Sequence, residues 1–492
     1  MSRKRILLVT VGIMLSLFLA SMESTVVATA MPTIVGQLGG LEHYSWVFSA
    51  FMLASTTVVP LYGKLSDLYG RRKLYVFAMA LFLTGSVLCG LANSMTGLIF
   101  ARALQGIGAG GLMPLAFILI GEMFTLEQRA RMQGFFSGVW GVSSIIGPLL
   151  GGFLVDQLSW RWIFYINIVP GLLAATLVAL AWRDQQHHGH GRPAIDYAGA
   201  ALLTVSVVML LLGLMGAGAS SWMLIAGAVV LFGLLLWVER RAADPVLPLS
   251  LFRDRLFSTA TLHGILTGWA LFGSISFIPL FVQAVLGTSA TQAGITITPM
   301  LLGWVTASII GTRLLLTIGY RKLGLIGTAA FTVGAFLMSR AGLNTSQPSL
   351  MVFVSLMGIG MGLSIPAFLI AVQTTVQRRQ LGTATSTLQF SRSIGGTLGV
   401  SVMGAALSAR LTTNLLASGL DLDLVRQLLD PLPGAQVVIA EGARAAMADS
   451  IHLVFLIAFV AAALAMITVL FTPRTELTER LSERERSAVS AD

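Results

Sequence analysis

Residues 6–32 read ILLVTVGIMLSLFLASMESTVVATAMP, an apolar run long enough to cross a bilayer as a helix and interrupted near its middle by Glu23. A carboxylate at mid-bilayer depth costs roughly 2.5–3.5 kcal/mol on insertion scales, so it is seldom present without a use. At a period of 3.6 its helix neighbours are Ser16, Ala20 and Val27, a narrow small-residue face suited to packing on other helices rather than on lipid. Glu23 is therefore expected to look inward. Two roles stand open for it: a proton- or substrate-binding acid, or a neutral carboxyl bonded to a neighbouring helix as packing glue.

The rest of the chain has the same character. Its 492 residues are 55% hydrophobic and only 11% charged, with a mean hydropathy of +0.84, whereas soluble domains carry about a quarter charged residues. Apolar runs centre near residues 20, 56, 83, 109, 145, 172, 207, 230, 271, 302, 331, 361, 396 and 461. They are about 20 residues long and lack strand alternation, so they predict fourteen membrane helices rather than barrel strands. The single cysteine, Cys89, lies inside a run and offers no disulfide framework. Ser2-Arg3-Lys4-Arg5 ahead of an apolar stretch has the look of a signal peptide, but the run has no clear cleavage site and continues into Glu23 and Pro32, so it reads as a retained first helix.

Lys and Arg fall on alternate loops, as the positive-inside rule requires. Of the 31, 24 lie on the side that holds both ends of the chain, while the opposite loops hold only Arg161, Arg340, Arg410, Arg426 and Arg444. Both termini are expected in the cytoplasm, with the protein multi-pass in the cell membrane. The net charge of +10 follows from this topology, which leaves nucleic acid without a role as partner.

An internal repeat sets the expected architecture. Gly106-Ile107-Gly108-Ala109-Gly110, with Pro114 beyond it, recurs as Gly358-Ile359-Gly360-Met361-Gly362 with Pro366, an offset of 252 that also carries Gln128 onto Gln380 and Gly147 onto Gly399. The expected fold is all-α: a six-helix half over 1–183, a linker with two inserted membrane helices over 184–255, a second six-helix half over 256–472, and a cytoplasmic tail over 473–492.

The loop after the second run reads Gly63-Lys64-Leu65-Ser66-Asp67-Leu68-Tyr69-Gly70-Arg71-Arg72-Lys73. Its two glycines allow a tight turn and a close helix approach, and Asp67 is suited to a helix N-terminus or a cation. This stretch resembles the major facilitator superfamily signature G-x-L-x-D-x-x-G-R-[RK]-[RK] at every fixed position. The resemblance implies a conformational latch of Gly63, Asp67, Gly70 and Arg71, with Asp67 and Arg71 in a cytoplasmic charge network that stabilises the outward-facing state.

The fourth run opens Arg102-Ala103-Leu104-Gln105-Gly106, and Arg102, Gln105, Ala109 and Met113 share one helical face. A buried guanidinium keeps its charge and needs an acid, carbonyls or water, and the first helix offers Glu23. The equivalent position in the second half is Val354, so the scaffold does not require the cation. The segment resembles the superfamily's R-x-x-Q-G-x-G-A signature, in which the Arg is linked to proton transfer. A structural Arg bound to helix ends is the competing reading.

The fifth run carries Gly134, Gly138 and Gly141, then Gly147-Pro148-Leu149-Leu150-Gly151-Gly152. It resembles the antiporter signature G-x8-G-x3-G-P-x2-G-G, with Ser143 in place of one glycine, and that motif marks exporters. Small residues let backbones touch, and Pro148 frees a carbonyl and bends the helix. Met22-Glu23-Ser24-Thr25-Val26-Val27 through Pro32 is similar to the L-D-x-T-[IV]-V-x-x-A-L-P pattern of the fourteen-helix drug:proton antiporters, with Met22 and Glu23 for its Leu and Asp, and Trp160 to Asn167, opening the sixth run, resembles a segment of the same group.

The resemblance implies a proton-coupled exporter of lipophilic, cationic, drug-like molecules, acting as a monomer without a cofactor, with Glu23 and Arg102 as the coupling pair. The alternative is an exporter of lipids or lipid-linked molecules on the same scaffold. Gln105, Met113, Trp269, Gln283, Gln373 and Arg392 are candidates for a substrate cavity. An enzyme would need converging nucleophile, base or metal ligands, which the runs do not offer, so none is expected. His263 reads as a packing residue, and the His187-His188-Gly189-His190 loop lacks the carboxylates of a metal site.

Overall fold

The computed structural model describes residues 2–38, 44–182, 196–215, 219–242, 245–247, 249–288, 290–377, 380–417 and 441–474. The helices are α1 (Arg3–Leu38), α2 (Tyr44–Tyr69), α3 (Arg71–Gly90), α4 (Met95–Met123), α5 (Leu126–Gln157), α6 (Trp162–Tyr165), α7 (Ile168–Ala181), α8 (Tyr197–Met215), α9 (Ala219–Glu239), α10 (Arg255–Leu280), α11 (Ala290–Ser339), α12 (Gln347–Thr375), α13 (Leu381–Ala417) and α14 (Glu441–Leu470). No strand occurs among the described residues. Helix starts follow local chemistry: the Ser94 hydroxyl caps α4 by accepting from the Gly97 N–H at 3.1 Å, and Thr125 with Gln128 forms a capping box at α5.

Twelve stretches among the described residues are long and apolar enough to cross a membrane. α6 and α7 together supply one, Trp162–Ala181, and α11 supplies two, Gln292–Leu315 and Thr317–Ser339, because Gly319 breaks it at φ +77°. α5 is not among the twelve, and α8 offers only the shorter Ala198–Leu214. The protein is thus a multi-pass helical membrane protein in which twelve of the fourteen expected spans meet the length and apolarity that crossing demands.

The chain forms two compact units, Met1–Asp254 with Val372–Phe390, and Arg255–Ala371 with Ser391–Asp492. In the first, Val9, Ile13 and Leu17 of α1 share a core with Tyr75, Met79 and Phe82 of α3 and Leu112 and Leu115 of α4. In the second, Leu271 and Ile278 of α10 share one with Phe331 of α11, Met357 of α12 and Phe455 of α14. α8 and α9 pack on each other within the first unit, where the Asp196 carboxylate accepts from the Gly199 N–H at 2.7 Å and Glu239 from the Leu247 N–H at 3.2 Å.

The internal repeat is visible in the packing. A Cβ at Gly106, Gly108 or Gly110 would fall on the Phe51 carbonyl oxygen, the Phe82 nitrogen or the Ser55 carbonyl oxygen. At Gly358, Gly360 and Gly362 it would fall on the Met300 carbonyl oxygen, the Phe331 nitrogen and the Trp304 carbonyl oxygen. Both triads seat a helix against its two predecessors at backbone contact, where lipid-solvated helices gain dispersion energy they cannot get from hydrophobicity. The partner positions stand at an offset three residues shorter than the glycines do. Carried back along the chain, that shorter offset sets Gly319 opposite Gly70, and both are left-handed, at φ +77° and +92°.

Candidate functional site

Glu23 and Arg102 meet in the first unit. Arg102 donates through Nη1 to Glu23 Oε1 at 2.6 Å and to Gln105 Oε1 at 2.7 Å, and through Nε to the Val47 carbonyl oxygen at 3.3 Å. The Asn167 amide donates through Nδ2 to Glu23 Oε2 at 2.8 Å and to Ser86 Oγ at 3.0 Å. Gln105 Nε2 also donates to Ser86 Oγ at 3.1 Å, and that hydroxyl donates to the Phe164 carbonyl oxygen at 2.9 Å. Glu23 and Arg102 are each only 1% exposed, and Gln105, Ser86 and Asn167 not at all. Five helices or their ends thus close around a network cut off from water.

Glycines make this geometry possible. A side chain at Gly85 would strike the Gln105 backbone, so α3 lies against α4 where Ser86 and Gln105 must meet. The closeness of α2 at Gly106 likewise brings the Val47 carbonyl to Arg102 and sets the Phe51 ring 4.2 Å from its guanidinium carbon. A buried ion pair is sound only when its remaining donors and acceptors are filled, and here nearly all are. Asn167 Oδ1 is the exception, buried without a partner.

Ser86 and Asn167 are the members that sequence reasoning missed. Asn167 had a signal, a lone amide closing the Trp160–Asn167 segment; Ser86 had none. Glu23 and Arg102 are the expected coupling pair. The structure joins the two, and their charges cancel.

The second constellation lies at the α2–α3 turn. Asp67 Oδ1 accepts from Arg71 Nη2 at 2.7 Å and the Gly382 N–H at 3.1 Å, while Oδ2 accepts from the Thr383 N–H at 2.9 Å and its hydroxyl at 3.0 Å. Asp67 is therefore bound in the first turn of α13, where unpaired N–H groups and the helix dipole favour an anion. Arg71 also donates to the Ser66 carbonyl oxygen at 2.9 Å and lies 3.2 Å from Glu122 of α4, which was not foreseen. Gly63 permits the approach, since a Cβ there would overlap Ser386, and Gly70 supplies the left-handed turn.

The other candidates divide. Gln373 is buried and donates to the Phe117 carbonyl oxygen at 3.2 Å and Thr385 Oγ1 at 3.3 Å, so its amide is committed to helix packing rather than to a cavity. Met113 packs against the core of the first unit. In the second unit Trp269 packs on the core with its indole N–H buried and unpartnered, and Arg392 on α13 is partly exposed. The side chains of Gln283 and Pro148 lie outside the described residues, as does the segment holding His187, His188 and His190. On α5, Gly134, Gly147 and Gly151 are buried, but a Cβ at Gly152 would meet nothing, so this glycine holds no backbone contact here, contrary to the expectation of touching helices. His263 pairs its Nε2 with Thr328 Oγ1 at 3.0 Å, a satisfied packing histidine.

Residues 13–400 match the profile of the Major Facilitator Superfamily. The chain is 41% identical over 437 residues to the "Multidrug transporter protein MdtP" of Bacillus subtilis (strain 168), covering 87% of this chain and 79% of that one. It is 37% identical over 484 residues to the "Multidrug resistance protein 3" of the same organism, covering 94% of each. Among solved structures, the proton:xylose symporter XylE has a TM-score of 0.64 at 13% identity, over 97% of this chain and 98% of that one.

Proposed function

Since this chain belongs to the major facilitator superfamily, a family of transporters rather than enzymes, we propose that it is an efflux pump that exports lipophilic drug-like molecules by alternating access, in exchange for protons. Relatives named as a multidrug transporter and a multidrug resistance protein, matched over most of their length, support the efflux part. The proton coupling rests on one observation, the enclosed contact of 2.6 Å between Glu23 and Arg102. A proton taken up by Glu23 removes the charge that holds the guanidinium, so the tie among α1, α4 and α7 loosens. Loss of the proton on the other side of the membrane restores it. The preference for lipophilic cations belongs to the conformation in which Glu23 has parted from Arg102. Asp67, Arg71 and Glu122 act as the latch, with the α13 N-terminus released and recaptured once per cycle. The glycines of α5 supply the surface that opens and seals.

Counting α5 and α8 as spans gives fourteen, with α8 and α9 as the inserted hairpin, and the pump works as a monomer with no cofactor. The deciding assay uses proteoliposomes with a preformed pH gradient. Adding ethidium should dissipate the gradient as the dye moves; dye transport indifferent to the gradient and to a protonophore would refute the coupling.

Orientation is read by cysteine labelling, for which the native Cys89 is buried and silent. Ser66 is a poor reporter because it is fully buried and bonded to the Gly63 carbonyl oxygen. Lys73 and Asn344 are exposed. With both termini cytoplasmic, a membrane-impermeant maleimide should label Asn344→Cys but spare Lys73→Cys in intact cells, and the reverse pattern would invert the topology.

A further inference from the structure

Arg392 stands eleven residues into α13, about 16 Å from its start at 1.5 Å per residue, and inside the apolar span Leu381–Asn414. Several other arginines near the membrane-crossing stretches are engaged: Arg102 with Glu23, Arg71 with Asp67, Arg321 with the Leu470 carbonyl oxygen and Arg444 with that of Val285, while Arg313 is exposed two residues before the end of its span Gln292–Leu315. Among the described residues no carboxylate or hydrogen-bond acceptor reaches the Arg392 guanidinium, although it is partly exposed. Its backbone is pinned from the α10 side. A Cβ at Gly268 would overlap the Arg392 carbonyl oxygen, one at Gly395 that of Ile265, and one at Gly399 would lie 2.5 Å from that of Trp269. Residues 392, 395 and 399 therefore form one stripe on the α10–α13 seam. Trp269, whose backbone meets α13 at Gly399, packs on the core of the same unit with its indole N–H buried and unpartnered, a second unsatisfied donor.

A guanidinium inside a membrane-spanning helix is expensive, and such groups pair with an anion or line a substrate path. Here both unsatisfied groups are donors, and the missing chemistry is an acceptor. We infer that Arg392 is the recognition residue for an anionic head group on the exported molecule, so that amphiphilic acids, carboxylates above all, are substrates alongside neutral and cationic lipophiles. The planar fork of Arg suits a carboxylate bidentately, which a Lys cannot reproduce. This inference rests on the efflux reading above and deepens it, since Glu23, neutralised by Arg102, leaves the second unit to set the substrate's charge.

Binding is measured on purified full-length protein in phosphatidylcholine nanodiscs with three probes that share one hydrocarbon body: 1-pyrenebutyrate, its primary amide, and the matching trimethylammonium compound. The wild type should bind the carboxylate at least ten-fold more tightly than the amide. Arg392→Gln should bring the carboxylate to the affinity of the amide while leaving the amide and the ammonium unchanged, and Arg392→Lys should fall between. Unchanged amide binding certifies that the variant is folded. A carboxylate preference that is absent in the wild type, or that survives Arg392→Gln, overturns the inference while the efflux reading stands on the other two probes. If none of the three binds, both fall. The last arm repeats the titration in phosphatidylglycerol nanodiscs. If the preference disappears there, and the wild type retains that lipid through delipidation while Arg392→Gln does not, the site belongs to a lipid phosphate and the inference is overturned.

Discussion

Glu23→Gln is expected to abolish gradient-driven efflux while leaving the protein folded. The amide can neither take up nor release a proton, so it holds the network permanently in one charge state. Folding should survive for a specific reason. The amide carbonyl still accepts from Arg102, and its NH2 replaces an acceptor with a donor facing the Asn167 amide. Asn167 Oδ1 has no partner, so a rotation of that amide presents an acceptor in place of a donor. Drug-dependent proton flux in proteoliposomes should fall to the protein-free background, with probe binding kept within a few-fold. Full-rate efflux by Glu23→Gln would remove the carboxyl from the mechanism. Glu23→Asp should retain partial activity, since the acid is kept but one methylene is lost from its reach to Arg102.

Arg102→Met should be the most destabilising single change in the first unit. It leaves the Glu23 carboxylate enclosed at 1% exposure with its cation gone, a loss of about 3–5 kcal/mol when one partner of a buried pair is removed. Gln105 Oε1 and the Val47 carbonyl oxygen each lose one donor as well. The double variant Glu23→Gln/Arg102→Met should recover much of the melting temperature in detergent, because two neutral side chains in that space need no counter-charge, yet it should transport nothing. A single variant as stable as the wild type would mean that the pair is not enclosed in the folded protein. A double variant no better than Arg102→Met would mean that the guanidinium serves packing alone.

The pairing of Glu23 with Arg102 was legible because two charges in apolar runs have few affordable solutions. Asp67 was legible in kind, since a carboxylate in a Gly-bounded turn seeks a helix N-terminus, but not in address, because nothing local to residue 67 designates Thr383. Ser86 and Asn167 were hidden for another reason: a hydroxyl or amide within an apolar run carries no period, and its role is fixed by helix crossings that bring residues 78 and 81 positions apart into contact. The three-residue shift between the two offsets concealed Gly319 as the counterpart of Gly70. With it went the recognition that the second unit keeps the turn without the acid, since Leu316 stands where the shorter offset would carry Asp67. The freedom of Arg392 was likewise beyond reach, because being unpaired is a property of surroundings and not of the residue.

The enclosure of a single mid-helix carboxyl, Glu23, in the polar network has an electrical corollary. If one proton enters by that group for each molecule expelled, the charge of the cargo decides which component of the proton-motive force drives the cycle. A departing monocation cancels the incoming proton, and the membrane potential contributes nothing. A neutral molecule leaves one net charge moving inward, about 2.3 kcal/mol for each 100 mV, and a departing monoanion leaves two, about 4.6 kcal/mol. One and the same pump would then be indifferent to voltage for a quaternary amine and steeply voltage-driven for a lipophilic acid. A cell with a collapsed pH gradient but an intact potential could still clear the second while accumulating the first.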